Sequence, residues 1–257
     1  MDGGSVVFDR AAGYYDQTRG FPPGVALGVA ETVARAARLK PTDRVLEIGI
    51  GTGRVALPLA PYVRAYYGVD LAQPMIDRLV EKRDGERVYP LLADATRLPF
   101  ADAAFDAVIA VHIFHLIPAY AEAFAEAARV LKPGGVLAHG WNTRHTEDVL
   151  NQVWNTATQS AGTTPGIPFE ERQKMLPAHG WRLQGEDHHP YRLERAPARF
   201  LEDLRGRVYS HCWSMSEEDL QSGLTAVQAY MAEHGIDPDQ PRVIDTEFRV
   251  QTFQPPG

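Results

Sequence analysis

Cysteine is nearly absent from this chain of 257 residues. The single thiol, Cys212, excludes an intrachain disulfide, and no cluster of Cys and His offers the four ligands of a zinc site, so no metal is expected. A reducing, cytoplasmic setting is the expectation. Positive charge is also short: 26 Lys and Arg stand against 33 Asp and Glu, for a net charge of −7. Attraction to phosphate needs clustered positive charge, which argues against nucleic acid and anionic membranes as partners. No run reaches the roughly 18 apolar residues of a membrane-spanning helix. The stretch Met1-Asp2-Gly3-Gly4-Ser5 has neither the basic nor the apolar segment of a secretion signal, so a soluble, unprocessed protein is expected. There is no internal repeat and no low-complexity tract. What the chain does have is apolar content, 44% of its residues, enough for one large domain or, as expected here, a domain with a cap.

One stretch organises the rest. Val45-Leu46-Glu47-Ile48 has strand character and runs into Gly49-Ile50-Gly51-Thr52-Gly53 and then a helix-compatible segment. This is how an α/β fold presents backbone N–H groups to a nucleotide-like ligand. About 20 residues on, where a ribose is usually gripped, the next apparent strand, Tyr66-Tyr67-Gly68-Val69, ends in Asp70. A ligand carrying a ribose is the leading class.

The surrounding periodicities predict an amphipathic helix over Phe8 to Gly20 and a second up to about Leu39, with Val25, Val29 and Val33 on one face. Strands over Arg44 to Ile48, Ala65 to Val69, Arg87 to Leu92, Phe105 to Val111 and Val136 to Trp141 then alternate with helices over Arg54 to Pro61, Pro74 to Arg83 and Pro118 to Leu131. That alternation means a mostly parallel sheet covered on both faces. From Asn142 to Pro168 the chain is polar and reads as a long connection or part of a lid, with a helix suggested at Val149 to Trp154. A helix over Phe169 to Ala178, a strand over Trp181 to Leu193, a helix from Pro197, a helix capped by Ser216 and ending at Gly235, and an alternating last strand over Thr246 to Gln251 complete the prediction.

Taken together these residues resemble the class I S-adenosylmethionine-dependent methyltransferases, in the small-molecule branch akin to the quinone-biosynthesis (type 11) enzymes. The resemblance covers about residues 8 to 142. It rests on Glu47-x-Gly49-x-Gly51-x-Gly53, on Asp70 with Leu71 beside it, on Ala93-Asp94-Ala95, on Leu98-Pro99-Phe100 to Val108, and on Arg129 to Gly135. It implies a doubly wound, Rossmann-like seven-stranded sheet, mostly parallel with an antiparallel last strand, and a helical lid. It also implies S-adenosyl-L-methionine as cofactor: Glu47, Gly49, Ile50, Gly51 and Gly53 at the methionine part, Asp70 and Leu71 at the ribose, Met75 nearby, and Asp94 and Ala95 at the adenine. Tyr15 and Arg19 match a segment that closes over the methionine carboxylate in relatives, and His112 lies just past strand four, at the expected crevice. The nicotinamide fingerprint would place its third glycine at Arg54, which disfavours an NAD(P)-dependent oxidoreductase, the first alternative. A cofactor-binding protein without catalysis is the second.

The layout expected is an N-terminal segment, 1–39, contributing to a lid, a core of 40–195 with 240–257, and a helical lid insertion, 196–239. The acceptor would be a small molecule attacking the methyl carbon through O, C or N. His112, His115 and Tyr14 are the candidate bases, since an imidazole of pKa about 6.5 suits proton removal near neutral pH. Each residue also has a plain structural role open to it. Asp70 and Asp94 could cap helices, His112 and His115 could be satisfied loop residues, and Tyr14, Phe114, Tyr209 and Trp213 could form a satellite core instead of an acceptor pocket. Asp106 is expected to be structural, His188 and His189 to lie at the surface, and the arginines from Arg192 to Arg207 to form a solvated face. The Asn/Asp-Pro-Pro-Tyr/Phe run of nucleobase methylators is missing after strand four, where Val111-His112-Ile113-Phe114-His115 stands.

Overall fold

The computed structural model describes residues 8–144, 148–158 and 171–257. Parts of the expected connection from Asn142 to Pro168, and the first residues of the helix expected from Phe169, lie outside the described residues.

The N-terminal segment is not one helix. It forms a 3-10 turn, Asp9–Ala11, and a short helix α1, Tyr15–Arg19. Gly13, exposed and without a side chain to hold a helix, lies in the break. Helix α2, Val25–Ala36, follows and buries Val29 and Val33. The alternating region then builds β1 (Arg44–Ile48), α3 (Ala56–Leu59), β2 (Ala65–Asp70), α4 (Gln73–Lys82), β3 (Val88–Leu92), β4 (Phe105–Val111), α5 (Tyr120–Val130) and β5 (Leu131–Arg144). Helix α3 is shorter than its periodicity predicts and gives way to a 3-10 turn at Ala60–Tyr62. Pro58 and Pro61 remove the N–H donors that a longer α-helix needs. Strand β5 is longer than predicted and starts before Pro133-Gly134-Gly135, with the register to β4 slipping between Phe105 and Ala107. Helix α7 (Arg172–Ala178), β6 (Arg182–Arg195), α8 (Pro197–Arg205), α9 (Glu217–Glu233) and β7 (Arg242–Gln254) close the chain, after α6 (Val149–Thr158).

The seven strands order as β3-β2-β1-β4-β5-β7-β6. Parallel ladders join β1 to β2 and β4, β2 to β3, and β4 to β5. The last strand runs antiparallel, so the sheet is the predicted mixed one. The contacts of β6 with β7 show the direction: Glu186 meets Arg249 at 3.0 Å and Gln251 at 2.6 Å, and the Thr252 hydroxyl donates to the Gly185 carbonyl at 3.4 Å, so numbers rise on one strand as they fall on the other. The order reverses at β1 and β4, and open α/β sheets bind ligands outside the carboxyl ends of such strands.

By spatial clustering the chain divides into two compact units. The first holds Met1–Trp141, Pro165–His189 and Phe248–Gly257. On one face of its sheet Leu46, Ile48, Val108 and Ala110 pack with Phe124, Ala127 and Val130 of α5 and Leu176 of α7. At the opposite end of the strands from the glycines, the Arg44 N–H donates to Asp106 Oδ2 at 2.9 Å, and Lys132 Nζ reaches the same carboxylate at 2.8 Å. Asp106 is structural, as its apolar flanks imply. His189 departs from expectation: it is half-buried, and a Cβ on Gly28 of α2 would fall 2.1 Å from its ring, so glycine is what lets this imidazole seat on the helix.

The second unit comprises Asn142–Thr164 and Pro190–Glu247. Its own core gathers Leu150 and Trp154 of α6, Phe200 and Leu204 of α8, Cys212, and Leu224 and Val227 of α9. A Cβ at Gly223 would stand 2.5 Å from the Trp154 ring, so α6 and α9 meet backbone to aromatic face. Ser216 caps α9 as predicted, its Oγ accepting the Asp219 N–H at 3.0 Å. Arg195 is no solvated arginine. It pairs with Asp148 at 3.0 Å, donates to Tyr209 Oη at 3.1 Å and lies 4.4 Å from the Phe200 ring centroid.

Candidate functional site

Strand β1 delivers the chain into a turn whose shape the glycines permit. The N–H groups of Gly49 and Ile50 both donate to the Val69 carbonyl, at 2.9 and 3.0 Å, and clamp the turn onto the end of β2. Gly49 sits at φ 74° and Gly51 at φ 52°, the left-handed region that side chains resist. At Gly49 crowding adds to this, since a Cβ would lie 2.6 Å from Ile113 Cδ1. Gly51 is different: it is buried, yet a Cβ there would meet just Met75 Cε, at 3.4 Å, so this side of the turn is uncrowded. The side chain of Ile50 is buried over Gly68, and Met75 is buried beneath the turn. Both predicted cofactor residues therefore shape the turn from below, and the Ile50 main chain is itself engaged, its N–H by Val69 and its carbonyl by the Gly53 N–H at 3.0 Å.

The acids converge as the spacing predicts. Asp70 Oδ2 accepts the Gly51 N–H at 2.8 Å and Oδ1 accepts the Ala72 N–H at 2.9 Å. The Ala93 N–H donates to the Asp70 carbonyl at 3.0 Å, which carries the β2–β3 ladder one step further and brings Asp94 alongside. Asp94 in turn accepts the Thr96 N–H at 2.9 Å. Both aspartates thus hold backbone N–H groups two residues on, and neither caps a helix: α4 has no side-chain cap and no helix stands between Asp94 and β4. Burial pushes the Asp70 carboxyl up, against the backbone hydrogen bonds of Ala72, Gly51 and Leu71 that pull it down. Leu71 is half-buried beside it, and Ala95 is buried.

The N-terminal segment is tied to this turn. Thr52 Oγ1 donates to Asp16 Oδ1 at 2.5 Å, while Lys82 of α4 holds Asp16 Oδ2 at 2.8 Å. Arg54 donates to the Arg19 carbonyl at 2.5 Å, with its guanidinium 6.0 Å from the Tyr15 ring centroid and 5.1 Å from that of Phe21. Tyr15 and Arg19 are therefore brought beside the glycine turn. Tyr14 precedes α1, and its buried Oη has no hydrogen-bond partner among the described residues.

Past β4, His112 adopts φ 53° and donates its N–H to the Gly140 carbonyl at 3.0 Å, next to the Ile113 that covers Gly49. His115 is half-buried in a 3-10 turn, Phe114–Leu116. Phe114 is core, packed edge-on against Phe124 at 4.8 Å, and so does not line a pocket. In the second unit Tyr209 is engaged by Arg195 and stacks on His211, while the Trp213 indole donates to the Arg207 carbonyl at 2.8 Å.

Several residues of the site escape sequence reasoning. Asp16, Thr52 and Ile113 act through contacts 36 or more positions away in sequence, and the buried hydroxyl of Tyr66, which donates to Glu47 Oε2 at 2.9 Å, has no local pattern of its own. One signal was available: Glu47 lies within an apolar strand and needs a buried partner. Among the described residues no three His, Cys, Asp or Glu gather as metal ligands would, and no helix is long and apolar enough to cross a membrane.

With this geometry in place, a family described as a methyltransferase domain matches residues 46–139, from β1 to β5. Over those residues the chain is similar to the type 11 methyltransferase domains. Its family uses S-adenosylmethionine. The match removes the support for a nicotinamide oxidoreductase. The 27-O-demethylrifamycin SV methyltransferase of Amycolatopsis mediterranei is 33% identical over 133 residues, 50% of this chain and 49% of that one. An uncharacterized methyltransferase of Bacillus subtilis, YcgJ, is 32% identical over 131 residues, 50% of this chain and 51% of its own. The chain thus spans about half the length of the curated relatives it matches. The crystal structure of YcgJ superposes with a TM-score of 0.58 at 22% identity over 91% of this chain and 99% of that one. The [4+2]-cyclase SpnF does so at 0.54 and 20%, over 90% and 81%. Both show the shared fold around the methyltransferase domain.

Proposed function

We propose that this protein transfers the methyl group of S-adenosylmethionine to a small-molecule acceptor. The observation that carries it is the uncrowded side of the glycine turn at Gly51, with the carboxylates of Asp70 and Asp94 on adjoining strand ends. The donor set fits such a cofactor. A carboxylate offers about four lone-pair sites, so Asp70 keeps acceptor capacity for ribose hydroxyls beyond its backbone partners, and Asp94 beyond Thr96 for an adenine amine next to Ala95. Leu71 and the backbone of Ile50 border these positions, Gly51 lets main chain approach the methionine part, Gly49 and Gly53 keep the turn left-handed against Ile113 and Leu79, and Tyr15 and Arg19 stand over it.

The cofactor supplies an electrophilic methyl carbon on a sulfonium. The chain's part is alignment and exclusion of water, which are worth many orders of magnitude in an in-line displacement. His112, His115 and Tyr14 remain the groups proposed to take a proton from the acceptor. The name of the rifamycin relative supports a small organic acceptor here. Because a cyclase shares this fold, the test has to read methyl transfer itself. The chain is incubated with methyl-labelled S-adenosylmethionine and a panel of small hydroxy, amino and acidic-carbon metabolites, and label in a product is expected. Saturable binding of S-adenosylhomocysteine with no transfer across the panel would favour a non-catalytic role, and binding of NAD in its place would overturn the proposal.

A further inference from the structure

At the foot of the glycine turn the fold buries an acid. Glu47 is 2% exposed, on the face of β1 opposite Leu46 and Ile48, two residues before the turn begins. One oxygen, Oε2, accepts the Tyr66 hydroxyl at 2.9 Å, and Tyr66 is itself fully buried on β2, paired in register with Val45. Among the described residues Tyr66 is the hydrogen-bond partner of this carboxyl, and Oε1 is left over. An isolated buried carboxylate is expensive, and a single neutral hydroxyl offsets a small part of that. The charged groups near it are Arg54, just after the turn, and Asp70, at the end of β2, and they oppose each other. Among the described residues no cation is held against the carboxyl, although it lies beside a turn suited to a ligand that carries one.

We propose that Tyr66 is a positioning residue for the cofactor: its hydroxyl fixes Glu47 so that the remaining carboxylate oxygen receives the methionine ammonium, and a proton leaves the Tyr66–Glu47 pair as that ammonium arrives. The inference rests on the cofactor assignment above and adds to it a partner on β2 and a proton. The balance is simple. The carboxylic acid gives its proton to bulk buffer, and the carboxylate left behind pairs with the incoming ammonium, so the buried charge of each sign is met by the other. Burial, the dominant influence, raises Glu47 to about 8, while the Tyr66 hydrogen bond and Arg54 act downward and Asp70 upward. The acid form therefore predominates at pH 7 before the cofactor binds.

The experiment is calorimetric titration of the full chain with S-adenosylhomocysteine in two buffers of different ionisation enthalpy. A second probe is 5′-methylthioadenosine, the same nucleoside thioether without the amino acid. At pH 7 between about half a proton and one should be released per S-adenosylhomocysteine, and affinity should rise with pH from 6 upward and then flatten near the Glu47 value. Methylthioadenosine should show neither effect. Tyr66→Phe removes a bond that favours the carboxylate, so the midpoint of the pH profile should move upward with methylthioadenosine affinity unchanged. A merely structural role would weaken both ligands together and leave the midpoint in place. Binding of S-adenosylhomocysteine without proton release, or an unmoved midpoint in Tyr66→Phe, would overturn the proposal. Should that variant not fold, the proton count of the wild type decides alone. If the wild type binds neither probe, the cofactor assignment is what fails.

Discussion

Replacing Gly49 by alanine tests whether the turn owes its shape to conformation, to crowding or to both. The native φ of 74° requires a left-handed residue, which costs an L-amino acid about 1–2 kcal/mol. The added Cβ would also stand 2.6 Å from Ile113 Cδ1 and 2.7 Å from Cγ1, closer than real contacts allow. Overpacking of this kind costs about 1–3 kcal/mol, and the low end applies because Ile113 is half-buried and its terminal methyl can swing aside. Gly49→Ala should therefore destabilise the protein by about 2–3 kcal/mol. In an Ile113→Ala background the two offending atoms are gone and the contact with Cβ, at 3.2 Å, is tolerable. There the same change should cost only the conformational part, about 1–2 kcal/mol. Urea denaturation of the four proteins without cofactor, followed by circular dichroism, closes the cycle, and a coupling of about 1 kcal/mol is expected between these contacting residues. Equal costs in both backgrounds would refute the crowding argument, and a cost below about 0.5 kcal/mol in the wild type would refute both terms.

Glu47→Gln should change how stability depends on pH. The folded carboxyl is raised to about 8 from an unfolded value near 4.3, so its contribution is fully present below about 4.3 and is lost as pH rises towards 8, at about 1.4 kcal/mol per unit. Glutamine carries no such proton, so thermal unfolding from pH 5 to 8 should show the variant gaining on the wild type as pH rises, and parallel curves would contradict the burial argument. Asp70→Ala should weaken S-adenosylhomocysteine at least tenfold by calorimetry. It should also cost about 1–3 kcal/mol in the protein without ligand, because the Gly51 and Ala72 N–H groups lose their acceptor; an unchanged affinity would place the ribose elsewhere. Asp16→Asn weakens the charged link to Lys82 that, with Thr52, holds the N-terminal segment to the turn. Proteolysis near Gly20 should accelerate while urea stability of the rest changes little, and an unaltered cleavage rate would show that Arg54 holds the segment unaided. Ser216→Ala should cost about 1 kcal/mol through loss of the α9 cap, measured as a shift in the urea midpoint.

The alternation of strand and helix, the glycine turn and the two acids were legible in the sequence because each is a local pattern. Parallel strands of period two, helices of period 3.6 and left-handed glycines leave marks within a few residues of where they act. Asp70 and Asp94 were legible as well, since any parallel sheet brings its strand ends together. The hold they also have on the N–H groups of Gly51, Ala72 and Thr96 depends on side-chain direction and had to be seen. The break of the first helix, the shortness of α3 and the early start of β5 depart from the local pattern because glycine and proline punctuate without stating on which side an element ends. What the tertiary structure alone decided is the company each polar group keeps. It set Asp16 against Thr52 and Lys82, seated His189 on Gly28, tied Arg195 to Asp148, and buried Tyr66 against Glu47. These pairs join elements 19 to 161 positions apart, a range over which no periodicity carries information. Their existence follows from the cost of burying a polar group without a partner, whereas their identity follows from how the sheet is wound.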